Sequence, residues 1–386
     1  MRILKILGLI ALAVAGVFLV VVLTILPASR RSGGVEGTLP PLKSVSKTIA
    51  ANAWYLKMID SKTGWAMAAA GYVLRTDDGG NTWMDVTPPG LKEAIGAPAN
   101  TPGEFRPGYF FLDANHAWMV ASPFQKDVPA TVLGTANGGR SWFLSSAHIT
   151  GMAYNVTFVN PETGWILAHK GVAAGSEMVA LARTQNGGQS WSVLSGGDPE
   201  SNTVPMGGHK NGLTFLDASK GWLSGFAPYS GKAFLYQSTN GGATWKDTAL
   251  PAPASFFPDA MFSTMPPVFF GAKDGVLPAI FNQNKQIIIF YATHDGGATW
   301  TPGAPVESRL AFSFADMNNG FTLDTSATLL NRTTDGGKTW QQVTPNVSLK
   351  GITQLQFISD KVGWATGGGA IVKTTDGGAT WTKLAP

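Results

Sequence analysis

Residues 374–381 read TTDGGATW, and six other octets repeat the phrase: TDDGGNTW at 76–83, TANGGRSW at 135–142, TQNGGQSW at 184–191, STNGGATW at 238–245, THDGGATW at 293–300 and TTDGGKTW at 333–340. Each octet reads as a hairpin corner. Adjacent glycines such as Gly79 and Gly80 supply the positive φ values of a tight turn, which a Cβ atom would penalise. The residue before them, Asp78, Asn137, Asn186, Asn240, Asp295, Asp335 or Asp376, can accept backbone N–H bonds inside the turn and so fix its shape. The closing indoles are Trp83, Trp142, Trp191, Trp245, Trp300, Trp340 and Trp381. Because they recur once per repeat at a fixed offset, they are expected to be core wedges on the outer part of each repeat rather than sugar platforms.

Upstream of each corner runs a looser signature: Gly64-Trp65, Ala117-Trp118, Gly164-Trp165, Gly221-Trp222, Gly275-Val276, Gly320-Phe321 and Gly363-Trp364. Of the 13 tryptophans only Trp54 lies outside the two signatures, so the indoles belong to the repeat and not to a ligand site. One full repeat, residues 213–250, divides into LTFLD, GWLSGF, KAFLYQST and TWKDTAL, four short strands joined by turns. Four strands per repeat is one propeller blade, and the corner-to-corner spacing from Trp83 to Trp381 averages about 50 residues, in the range of blade repeats. The sequence therefore predicts an all-β, seven-bladed β-propeller of four-stranded antiparallel blades over residues 44–386. Both terminal blades own four strands, and residues 44–50 could add an outer one.

The chain has 386 residues, of which 13% are charged, with a formal net charge of +4. Arg2, Lys5, Arg30 and Arg31 carry that excess, since the other 24 basic residues balance the 24 acidic ones. A neutral body without a Lys/Arg stripe lacks the concentrated cationic surface that nucleic acid requires. With no cysteine there is no disulfide framework, thiolate metal site or lipid-modified cysteine. Residues 6–26 are almost wholly apolar and long enough to cross a bilayer as a helix. The candidate cleavage site at Leu26, Pro27 and Ala28 is poor, which favours a retained anchor over a cleaved signal peptide. The expected layout is a cytoplasmic segment at 1–5, a transmembrane anchor at 6–26, a Pro/Gly linker at 27–43, and a body outside the cytoplasm. Cleavage would make the body a secreted protein.

The octet resembles the Asp box, or bacterial neuraminidase repeat, Ser/Thr-x-Asp-x-Gly-x-Thr/Ser-Trp, with Asn137, Asn186 and Asn240 in place of Asp in three corners. The longer phrase, strand-Asp-x-x-x-Gly-Trp followed by Thr-x-Asp-Gly-Gly-x-Thr-Trp, is more similar to the photosystem II stability/assembly factor family than to sialidases. That resemblance spans roughly residues 50–386. It implies a non-enzymatic protein that holds a membrane-protein intermediate, and a basic patch rich in arginine. The body carries only Arg75, Arg106, Arg140, Arg183, Arg309 and Arg332.

A sialidase-like site would need an arginine cluster, a Tyr–Glu nucleophile pair and a separate acid, and glycoside hydrolysis in general needs two facing carboxyls. Phe105-Arg106-Pro107 is the nearest string to the sialidase arginine motif, and it follows the first corner instead of preceding it. Asp60, Asp113, Asp217 and Asp316 recur at equivalent turn positions, as turn formers do. Unrepeated acids include Glu93, Glu104, Asp127, Glu177, Glu200 and Asp259, and His116, His148, His169, His209 and His294 lack ligand spacing. No catalytic residue, metal or cofactor is assigned; a glycoside hydrolase or a glycan-binding module is the alternative reading.

In a four-stranded blade the first-to-second and third-to-fourth turns share one face, and here those turns are short and repeated. The other face is built by the long crossings at 84–108, 192–212 and 246–267 and by the loops at 122–130, 169–177, 227–232 and 282–285. Variable loops on a rigid scaffold usually carry recognition. The expected partner-binding residues, for a protein or membrane-protein partner, are Arg106, Phe124, Lys126, His169, Lys170, His209, Lys210, Tyr229, Phe256 and Phe257, because aromatic and basic side chains are the composition of protein interfaces.

Overall fold

A computed structural model describes residues 42–91, 108–122, 128–173, 175–197, 200, 202–227, 233–253, 261–282 and 285–385. Residues from Leu42 onward form one compact unit. Within it each repeat folds as an up-and-down antiparallel sheet whose strands pair in chain order. In the seventh blade these are Ile352–Phe357, Gly363–Gly367, Ala370–Thr374 and Thr382–Ala385. Blades two, three, six and seven are separate four-stranded sheets. The second strand of a blade, GWATG in the seventh, is buried along its whole length, because both of its faces meet a neighbouring blade.

The structure differs from the expected strands in two places: the outer strand of the first blade forms at residues 43–44 and not over 44–50, and blades four and five are joined. Lys43–Ser44 adds a fifth strand outside Met84–Asp85 in the first blade. The chain then turns into the short helix Lys47–Ala51, since the Ser46 hydroxyl accepts from Ile49 N and caps it. Blades four and five are joined in one ten-stranded sheet. Pro266 and Pro267 have no N–H to give a ladder, so the first strand of blade five is divided into Met261–Thr264 and Val268–Phe269. The detached piece pairs with the second strand of blade five and, through Ser263 opposite Phe226, with blade four.

Neighbouring blades are keyed by one repeated aromatic arrangement. The indole of the Gly-Trp signature lies against the ring that ends the first strand of the next blade: Trp118 on Phe158 at 3.5 Å and 6°, and Trp165 on Phe215 at 3.6 Å and 2°. The corner indole of that next blade meets the same ring edge-on, as Trp191 does with Phe158 and Trp245 with Phe215. Where glycine precedes the indole, the reason is steric. A Cβ at Gly164 would lie 2.5 Å from the Phe158 ring. Where Val276 replaces the indole in blade five, Phe290 from the adjacent strand takes its place against Phe314 and Trp340. The corner indoles are therefore wedges between blades. Trp83, Trp191, Trp300 and Trp381 are buried, and Trp142, Trp245 and Trp340 are partly exposed.

The same device closes the ring. Trp364 of blade seven donates its indole N–H to the Gly79 carbonyl in the first corner at 3.0 Å. Gln354 and Gln356 present side-chain amides to the first strand of blade one, Ala53–Met58. Gln354 accepts from Leu56 N at 2.7 Å and donates to Leu56 O at 2.8 Å, and Gln356 does the same to Met58 N and O. These amides stand in for a strand ladder between two sheets that share none. Among the described residues no helix is long and apolar enough to cross a membrane; residues 6–26 lie outside the described residues.

Candidate partner-binding face

The corner face is tied down residue by residue. In the first corner Thr76 Oγ1 donates to Asp78 Oδ1 at 2.9 Å and accepts from Gly80 N at 2.9 Å, while Asp78 accepts from Thr82 N and Oγ1 at 2.9 and 2.6 Å. In the second corner Asn137 accepts from Ser141 N at 2.9 Å and donates to Ser141 Oγ at 2.8 Å, so an amide holds the turn as a carboxylate does. The first corner glycine then donates to the first-to-second turn of its own blade, Gly79 N to Lys62 O at 2.7 Å and Gly377 N to Lys361 O at 2.9 Å. The two sets of turns thus share one face. Asp60, Asp113, Asp217 and Asp316 accept backbone N–H bonds within those turns.

Charge on this face is spent between blades. Arg75, Arg183 and Arg332 stand opposite Trp65, Trp165 and Phe321 on paired strands and lie over those rings at 5.3, 5.3 and 5.7 Å. Lys373 lies over Trp364 in the same way. Arg75 donates onward to Ala114 O and Arg183 to Ala218 O, in the turns of the next blade. Burial lowers the Arg183 pKa. These cations hold neighbouring blades together, which is a different job from forming an open arginine patch.

On the opposite face the structure brings part of the expected set together between blades three and four. His169 and Lys170 lie on the long hairpin of strands Gly164–Ala173 and Ser176–Thr184, and His209 and Lys210 open the strand His209–Phe215. His169 Nδ1 lies 2.8 Å from Glu177 Oε1, and Glu177 Oε2 accepts from Lys210 N at 2.6 Å. Lys210 does not stand on the surface as the loop reading expected. It is 5% exposed, and its ammonium donates to the carbonyls of Glu177, Met206 and Gly207 at 2.6, 3.1 and 3.1 Å. Burial pulls its pKa down to about 8 against the opposing pull of Glu177. Burial, with Glu177 nearby, also raises the Tyr154 pKa, and Tyr154 donates its hydroxyl to Lys210 O at 3.2 Å.

His209 stacks on Phe226 at 5.0 Å, and the exposed Lys170 donates to Thr150 Oγ1. The cluster therefore braces the loop face, leaving His169, Lys170 and Val172 at its rim. Arg106, Phe124, Lys126, Tyr229, Phe256 and Phe257 lie outside the described residues. Among the described residues no group of three or more His, Asp or Glu could hold a metal ion. The sequence reading missed the bracing role of Glu177, Tyr154 and Lys210, which pair only across strands far apart in the chain.

Residues 303–385 match the family model of the photosynthesis system II assembly factor YCF48. The chain is similar to a solved YCF48 bound to D1 peptide, at 18% identity over 87% of this chain and 97% of that one, with a TM-score of 0.53. The chain thus shares the β-propeller fold of these proteins, and its last part, residues 303–385, is similar to the assembly-factor family. YCF48 from Cyanidioschyzon merolae is similar at 19% identity over 86% of this chain and 98% of that one, with a TM-score of 0.56. A GH74 xyloglucanase from Xanthomonas campestris shares the fold at 13% identity and a TM-score of 0.56, covering 89% of this chain and 56% of that one. No curated protein matches the sequence. The propeller thus has its corners and blade seams committed to structure, and its variable loops on the other face.

Proposed function

We propose that this chain is a non-catalytic binding or assembly protein, anchored in a membrane by residues 6–26 with its propeller outside the cytoplasm. Its loop face around blades two to five holds a segment of a protein or membrane-protein partner. The observation that carries the reading is the likeness to assembly-factor propellers, one of which was solved bound to a peptide. Support also comes from the corner face, where turn acceptors and blade-bridging cations are already engaged, and from the uncharged apolar run at 6–26.

The test is site-specific photocrosslinking in native membranes. A photoreactive residue at exposed Val172 on the loop face should capture a partner, and the same residue at exposed Asn81 on the corner face should not. Capture from position 81 alone would overturn the face assignment. Protease digestion of intact cells, followed by fractionation, should find the propeller accessible from outside and retained with membranes; a protected or freely released propeller would refute the anchor.

A further inference from the structure

The first strands of blades five, six, seven and one converge on a cavity of about 280 Å³. Its walls are mainly apolar: Val268, Val276 and Pro278 from blade five, with Phe312 and Phe314 from blade six. Polar lining comes from Ser313, Gln354, Gln356, Tyr55 and Lys57. Most of that polarity is already engaged. Both glutamine amides bond the backbone of blade one, and Ser313 Oγ accepts from Phe357 N at 2.9 Å. Burial pushes the Tyr55 pKa up to about 12, so its hydroxyl stays protonated and can donate.

Lys57 is different. It is partly buried, its ammonium has neither an ion pair nor a hydrogen bond among the described residues, and the lining contains no carboxylate. Burial lowers its pKa, with no neighbouring charge opposing the shift. A lysine kept from bulk water without a counter-charge is a standing electrostatic deficit, since burying an ion is tolerated when it is paired. The space beside it is of small-ligand size, apolar-walled, and among the described residues offers a single cation, which is the arrangement of a small-molecule site with one orienting polar group.

We propose that this cavity binds a monocarboxylate carried on an apolar or aromatic body, with Lys57 as its counter-charge. The Phe312, Phe314 and Pro278 walls take the apolar part. One cation suits a monoanion, whereas a phosphate dianion would ask for a second positive charge. The carboxylate can come from a free small acid or from the C-terminus of a chain ending in an apolar residue, and the two are separable by experiment. The proposal does not rest on the partner-binding reading of the loop face.

The experiment uses the full chain in non-ionic detergent, with benzoate as probe and benzyl alcohol as the uncharged control. Acetylation by acetic anhydride, read by peptide mass spectrometry, should be reduced severalfold at Lys57 by benzoate, saturably, with no change at exposed Lys62. Benzyl alcohol should give no protection. Benzoate should raise the melting temperature of the wild type and of Lys57→Arg, and its affinity for Lys57→Met should fall roughly tenfold or more, the worth of one charge-assisted bond. Unprotected Lys57, or equal binding by Lys57→Met, would overturn the assignment. If Lys57→Met does not fold, the labelling of the wild type decides alone. Competition between benzoate and a peptide ending in Phe, with no competition from its amide, would identify a chain terminus; benzoate binding without such competition would identify a small acid.

Discussion

Replacing Phe158 by Ala should destabilise the propeller more than almost any other single truncation, because that ring locks two blades. It is 3% exposed, stacked on Trp118 at 3.5 Å and met edge-on by Trp191 at 6.0 Å. Deleting a buried Phe costs about 3–5 kcal/mol through lost transfer energy and the cavity left behind. The upper part of that range is expected here. The ring covers Gly164, which has no side chain to move into the space, and the strand indole Trp118 and the corner indole Trp191 form other walls. Phe158→Leu keeps most of the volume but loses its two closest aromatic pairs, worth about 0.5–1.5 kcal/mol each, so it should cost about 1–3 kcal/mol. Urea unfolding followed by far-UV circular dichroism measures both. A cycle with Trp118→Leu should give a coupling of roughly 1 kcal/mol. A cost for Phe158→Ala below about 1 kcal/mol, or a coupling of zero, would refute the idea that this aromatic key joins the blades.

Gln356→Leu removes the side chain that pairs with Met58 N and O and leaves two buried backbone groups unmet; stability should drop by about 1–3 kcal/mol, and hydrogen exchange at Met58 should accelerate. Glu177→Leu removes the charge that offsets the burial of Lys210 and the carboxylate that accepts from Lys210 N, and should cost about 3 kcal/mol or more in urea unfolding. For the corner acids, Thr299 hydrogen bonds hold the Asp295 pKa at about 2, and at Asp335 burial pushes upward but Thr339 bonds prevail, also giving about 2. A folded pKa below the unfolded value near 4 means that this stabilisation is present above about pH 4 and is lost as pH falls towards 2. The double variant Asp295→Asn/Asp335→Asn should therefore lose less stability than wild type across that window, as followed by acid unfolding.

The corners were legible because their chemistry is local. Two positive-φ glycines, an acceptor before them and a hydroxyl on each side specify a turn within eight residues, and seven copies fix the number of blades. The strand order within a blade follows from the short links between those turns. Other features lay beyond that range. Nothing local marks Phe290 as the substitute for a missing indole, since its partners Phe314 and Trp340 belong to the next repeat. The joining of blades four and five needed the break at Pro266 and Pro267 together with a partner strand in blade four.

For function the division is similar. The sequence by itself determined a repeating turn device, its count, and which segments vary. Only the tertiary structure decided that Lys210 is braced inside by four carbonyls, that Gln354 and Gln356 join the last blade to the first, and that Lys57 lines an apolar cavity without a counter-charge among the described residues. The reason is physical. A turn is set by dihedral preferences and hydrogen bonds over a few residues, whereas the cost of a buried charge or an unmet amide depends on what closure of the ring brings beside it.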